Sequence, residues 1–206
     1  MSVTRPTGKV ILDWGCGGNK HPLAIGMDNV ALPTVDVVHS LLETPYPFEN
    51  ASADEIILSH VLEHFTFDQI SLILREAHRI LKPGGFVTVS VPHALCIAFA
   101  SDPTHKTRFT FETLFYLTPD HPFAYYADTD AHWEIERYRL WASVNLFNNL
   151  LRSTLHWQRR LEQNVSRVAA YAVRYTSSLT ALDMLVRYLP IWLVSIHCRL
   201  YKVDSR

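Results

Sequence analysis

The chain has 206 residues, 48% hydrophobic and 12% aromatic, with 19% charged and a formal net charge of −1. That composition supplies a core for one folded domain and excludes a disordered chain, and the near-neutral balance offers no electrostatic footprint for nucleic acid. Three scattered cysteines (Cys16, Cys96, Cys198) make neither a disulfide framework nor a zinc knuckle, and no signal-peptide or membrane-spanning run occurs, so a cytoplasmic protein is expected.

Lys9–Trp14 is a short apolar run ending at Gly15, the pattern of a buried parallel strand. Ala24–Asp28, Val35–His39, Ala53–Ser59 and Phe86–Val91 read as four more. Between the last two lies a clear helix. Thr66 and Gln69 have capping-box spacing, Ile70, Ile73, Leu74, Ala77, Ile80 and Leu81 share one face, and Lys82-Pro83-Gly84-Gly85 stops it. Strand, helix and strand at this spacing predict a crossover in a parallel sheet, an α/β fold. Nine residues between the first and second strands, and about six between the second and third, leave no room for full crossover helices, so turns are expected there. Further on, Phe111–Leu117 reads as helix behind Thr110, Trp133–Trp141 alternates like a half-exposed antiparallel strand, Asn145–Tyr188 reads as helix, and Ile191–Val203 reads as a closing strand.

The first strand runs into Asp13-Trp14-Gly15-Cys16-Gly17-Gly18-Asn19. Glycines there permit a tight turn and close approach of a ligand to the backbone, at the sheet edge where open α/β folds bind ligands. Asp28, ending the second strand, is positioned to accept hydrogen bonds from ribose hydroxyls. Lys20 occupies the position where a dinucleotide fingerprint needs its third glycine, and no phosphate-binding P-loop sequence occurs. A nucleoside-containing ligand without a phosphate grip is what remains.

These residues resemble the class I S-adenosylmethionine-dependent methyltransferases. Ile11–Gly18 is similar to that family's first motif, and Asp28 to its ribose-binding acid. Pro45–Phe48 with Ala53–Phe65 is similar to its fourth-strand segment, and Leu74–Gly85 to its crossover helix and turn. The resemblance covers roughly residues 8–118 and implies a Rossmann-like fold: a mostly parallel twisted sheet with an antiparallel C-terminal strand. Residues 1–206 then form a single domain, with 145–188 a helical insertion between the last two strands. It implies S-adenosyl-L-methionine as cofactor, held by Asp13, Gly15, Cys16, Gly17, Asp28, Leu41, Leu42, Ser59 and His60. Ser40 departs from the family pattern, standing where many members carry an acid near the adenine.

Methyl transfer from a sulfonium is a direct displacement, so the protein chiefly aligns the partners and excludes water, with a base needed only for an acceptor such as a hydroxyl. His60, His93 and His105 fall on loops at the carboxyl edge of the sheet, whereas His64 is expected to point elsewhere. The catalytic candidates are His105, oriented by Asp102, and His60. His60, His93, Asp102 and His105 match no established metal-ligand spacing, so no metal is expected. Phe109, Phe111, Phe115, Tyr116, Phe123, Tyr125 and Tyr126 suit a wall over an apolar acceptor. The expected activity is methylation of a small molecule at oxygen. Residues 140–206 carry nine basic and three acidic side chains against ten and seventeen before them. Peripheral membrane contact or a homodimer through 145–188 therefore stays open, as do a membrane-associated or macromolecular acceptor (a glycolipid or quinone) and a non-catalytic cofactor-binding module.

Overall fold

The structure is a computed structural model describing residues 8–119, 121–122, 131–143 and 193–203. Seven strands, β1 (Ile11–Trp14), β2 (Ile25–Asp28), β3 (Val37–Val38), β4 (Ala53–Ser59), β5 (Leu81–Pro92), β6 (His132–Ser143) and β7 (Leu193–Val203), form one sheet in the order β3-β2-β1-β4-β5-β7-β6. The β1–β2, β2–β3, β1–β4 and β4–β5 pairs are parallel, and β7 runs antiparallel to both β5 and β6. This is the mostly parallel sheet with an antiparallel C-terminal strand that the family resemblance implies. The anticipated turns also appear: no helix among the described residues joins β1 to β2 or β2 to β3.

Helix α1 (Phe67–Ile80) crosses from β4 to β5. Gln69 Oε1 accepts the Thr66 backbone N–H at 3.0 Å, the return half of a capping box. Ile70, Ile73, Leu74, Ala77 and Ile80 are buried in the main core with Leu12, Trp14, Met27, Ile56 and Leu58. Strand β5 begins five residues earlier than its sequence suggests, because Leu81 already pairs with Ala53. The pairing then slips, resuming at Glu55 with Phe86, and Lys82–Gly85 bulges out with Gly84 at φ 75°. Two short helices follow, α2 (Ile97–Ser101) and α3 (Phe111–Phe115). The helical reading of 145–188 lies outside the described residues.

Candidate functional site

In this sheet β1 sits beside β4 while its chain continues to β2 on the other side, and the loops at their carboxyl ends diverge there to leave a crevice. The resulting cleft measures ≈ 390 Å³. Its wall takes Gly15 from the loop after β1, Asp28 and Asn29 after β2, Ser40, Leu41 and Leu42 after β3, and His60, Val61, His64 and Phe65 after β4.

Gly15 is held at φ 68°, and a Cβ there would stand 2.7 Å from Val61 Cγ2. Backbone and Val61 leave space for glycine alone. Gly17, at φ 50°, donates its N–H to Asp28 Oδ2 at 2.9 Å, while Asp28 Oδ1 accepts from Val30 N–H at 3.0 Å. The carboxylate is thus fixed at the cleft wall with one donor on each oxygen and lone pairs to spare. Leu41 is buried, its carbonyl accepting the Tyr46 hydroxyl at 2.5 Å, and Leu42 is exposed beside it.

Asp13 and Cys16 are buried beneath the loop rather than on the cleft wall. Asp13 Oδ2 accepts the His21 N–H at 2.7 Å, tying down the chain that leaves the glycine turn, and burial raises its pKa despite that bond. Burial and the nearby Asp13 and Asp28 carboxylates push the Cys16 thiol up, which keeps it protonated. Ser59 ends β4 without reaching the wall.

His60 follows Ser59 at φ 56°, a left-handed conformation uncommon for a non-glycine residue. Its N–H is anchored on the Ser90 carbonyl at 2.8 Å, and its ring projects into the cleft, 55% exposed. Nδ1 lies 3.2 Å from Oε1 of Glu63, whose side chain is 1% exposed. That contact holds the imidazole pKa above its ordinary value, outweighing partial burial. It is an ion-pair contact without aligned hydrogen-bond geometry, since neither Glu63 oxygen receives a hydrogen bond.

The anticipated His105–Asp102 pair is looser. His105 Nε2 stands 3.7 Å from Asp102 Oδ2, beyond hydrogen-bond range, and Nδ1 is instead 3.0 Å from the Phe99 carbonyl. The Thr104 hydroxyl and N–H, bound to Asp102 Oδ1 at 2.6 and 2.8 Å, lower that acid's pKa. His105 packs instead against His64, ring centroids 4.9 Å apart, and His64 lines the cleft. The expectation that His64 points elsewhere is therefore corrected. Glu63 and His64 are the site residues that sequence reasoning missed. Their three- and four-residue spacing from His60 carries no helical signal, because His60, at φ 56°, stands before the 3₁₀ turn Leu62–His64 that bears them.

His93, grouped with His60 and His105 by loop position, is fully buried, with Nδ1 accepting the Leu95 N–H at 3.1 Å. Of the aromatic cluster, Phe109 is a core residue, Phe115 and Tyr116 contact the His121 ring, and Phe123, Tyr125 and Tyr126 lie outside the described residues.

Residues 19–89 match the family profile described as a methyltransferase domain. The fold is a Rossmann-like methyltransferase fold. A "Probable S-adenosylmethionine-dependent methyltransferase" of Mycolicibacterium smegmatis is 30% identical over a 116-residue alignment, which takes in 48% of this chain and 44% of that protein. The chain thus spans less than half the length of the curated relative. A SAM-dependent methyltransferase of Archaeoglobus fulgidus superimposes with a TM-score of 0.54 at 17% identity, over 94% of this chain and 86% of the other. The 1,6-didemethyltoxoflavin-N1-methyltransferase of Burkholderia thailandensis, solved with bound 1,6-didemethyltoxoflavin and S-adenosylhomocysteine, does so with a TM-score of 0.51 at 15% identity, over 95% and 71%. The family match begins at Asn19, one residue past the glycine turn, so that turn is characterised by its geometry.

Proposed function

We propose that this chain is an S-adenosylmethionine-dependent methyltransferase acting on a small molecule at oxygen. The observation that carries the reading is the presence of Gly15, Asp28 and His60 on three walls of one cleft at the β1–β4 divergence. The residues fit the cofactor: Gly15 keeps side-chain-free backbone on the cleft wall, and the Asp28 carboxylate on the same wall is fixed by the Gly17 N–H with lone pairs to spare. When bound, S-adenosylmethionine supplies an electrophilic methyl on its sulfonium.

The chain's own residues do the rest. Asp28 accepts the ribose hydroxyls, and Leu41 and Leu42 give the adenine an apolar wall. Gly15 and Gly17, with Cys16 between them, turn the backbone against the methionine portion, and Asp13 supports that loop through His21. Ser59 ends β4 behind the wall and carries His60, which follows it, to the reacting centre. His60 takes the acceptor's proton, oriented by the Glu63 carboxylate beneath it. His105 and Asp102 stand one layer back and set the position of His64. Among the described residues no helix is long and apolar enough to cross a membrane; a cytoplasmic location is part of the proposal. Docking on membranes or a second copy through 145–188 involves residues outside those described, and no structural observation favours it.

Incubation with methyl-labelled S-adenosylmethionine and a panel of phenols, alcohols and amines tests the reading. Methyl ethers are expected, and His60→Gln should lower kcat about 100-fold or more while sparing cofactor binding. Methylation confined to amines and indifferent to His60→Gln would contradict both the oxygen acceptor and the base.

A further inference from the structure

Glu63, His64 and His105 form a cluster at the edge of the proposed cofactor cleft, which His64 lines. One ligating atom from each lies within 4.8 Å of the other two. Glu63 is 0% exposed, and neither of its carboxylate oxygens receives a hydrogen bond. His60, 3.2 Å from Oε1, touches one side of it. A buried carboxylate so poorly supplied with donors is costly unless a cation completes its surroundings.

Both imidazoles are prepared for such a cation. The Thr104 hydroxyl donates to Asp102 Oδ1 at 2.6 Å, so at 2.8 Å it accepts from His64 Nδ1–H. His105 Nδ1–H donates to the Phe99 carbonyl at 3.0 Å. These bonds put a proton on Nδ1 of each ring, so that the neutral imidazole offers its Nε2 lone pair to a ligand. Outer hydrogen bonds of this kind fix the tautomer and orientation of metal-binding histidines. The backbone holds the parts together. The Glu63 carbonyl accepts the N–H groups of Lys106 and Thr107 at 2.7 and 3.1 Å, and the Thr107 hydroxyl donates to the Phe65 carbonyl at 2.6 Å. The loop bearing His105 is thereby stitched to the turn bearing Glu63 and His64.

We propose that Glu63, His64 and His105 bind a divalent first-row transition ion, Zn²⁺ being the probe of choice. Two imidazoles and one carboxylate suit Zn²⁺ or Fe²⁺, whereas Mg²⁺ and Ca²⁺ take oxygen ligands. Bonds of about 2.0–2.1 Å in a tetrahedral site separate ligand atoms by about 3.3 Å, so the three groups, now within 4.8 Å of one another, must draw together on binding. Three protein ligands leave a further position for a water or substrate oxygen. His64 also lines the cleft, so the ion sits where an acceptor enters. Resting on the methyltransferase reading, its role is to bind the acceptor hydroxyl and make its proton easier to remove. This ligand set differs from the one weighed on sequence alone, which included the internally bonded His93.

The test uses the full chain, stripped with chelator. Zn²⁺ is titrated against a chromogenic competitor and Co²⁺ by visible absorption, with S-adenosylhomocysteine binding measured on the same samples. One equivalent of Zn²⁺ is expected, displacing Co²⁺. His64→Gln, His105→Gln and Glu63→Gln should each weaken binding at least tenfold, and His132→Ala should not. Variants that still bind S-adenosylhomocysteine establish that the loss is local. Absence of stoichiometric binding, or binding indifferent to His64→Gln and His105→Gln, overturns the site. Wild-type protein that takes up Zn²⁺ through these residues but not S-adenosylhomocysteine supports the metal site and overturns the methyltransferase reading.

Discussion

Gly15 concentrates the demands of the proposed cofactor loop on one residue. Its φ of 68° and the 2.7 Å gap to Val61 both exclude a side chain. Gly15→Ala should cost about 1–2 kcal/mol of stability from the backbone conformation and weaken S-adenosylhomocysteine binding at least tenfold. Thermal unfolding and calorimetry on the same sample check this, and unaltered affinity would contradict the role of the loop. Gly15 and Asp28 were legible in the sequence because each is required by a strand ending at a known edge. His60 was legible for the same reason. Glu63 and His64 were not, because their convergence depends on contacts with a loop 40 residues away, where Thr104 takes up the His64 ring.

Helix α1 was readable from its cap and apolar face, but it ends at Ile80, and Leu81, expected on the helix face, instead pairs with Ala53 as the first residue of β5. Its polar work was hidden. Arg79 grips Glu76 with two nitrogens, Nε to Oε1 at 2.9 Å and Nη2 to Oε2 at 2.7 Å, and Oε2 also accepts the Tyr46 N–H at 2.8 Å. The helix is thereby tied to the loop that supports Leu41. Burial pushes the Glu76 carboxyl up, but these donors outweigh it and hold its pKa below the ordinary 4.5. A depressed carboxyl stabilises the fold above its unfolded pKa and loses that contribution as pH falls through the folded value. Glu76→Gln should therefore cost about 1.5–3 kcal/mol at neutral pH. The variant should also lose less stability than the wild type between pH 5 and the acid limit, so that the two curves converge. Urea unfolding across that range measures it, and parallel curves would contradict the assignment. The early start of β5 had no such signal, because a bulge at Lys82–Gly85 looks in sequence like a simple turn.

Across the whole molecule, the strand spacing predicts an α/β sheet with reduced crossovers, and the structure orders its strands β3-β2-β1-β4-β5-β7-β6. That order opens the cleft between diverging loops and brings segments after four different strands to one wall. Chemistry at the acceptor end was harder to read than the cofactor end, because fold and motif constrain the shared ligand far more tightly than the partner it reacts with. The most direct measurement is calorimetric titration of cofactor-stripped protein with S-adenosylhomocysteine, beside Asp28→Ala. The cleft predicts one site of micromolar affinity, weakened at least tenfold by the substitution, a loss of about 1.4 kcal/mol. Absence of binding to the wild type, or equal binding to both proteins, would contradict the cofactor site.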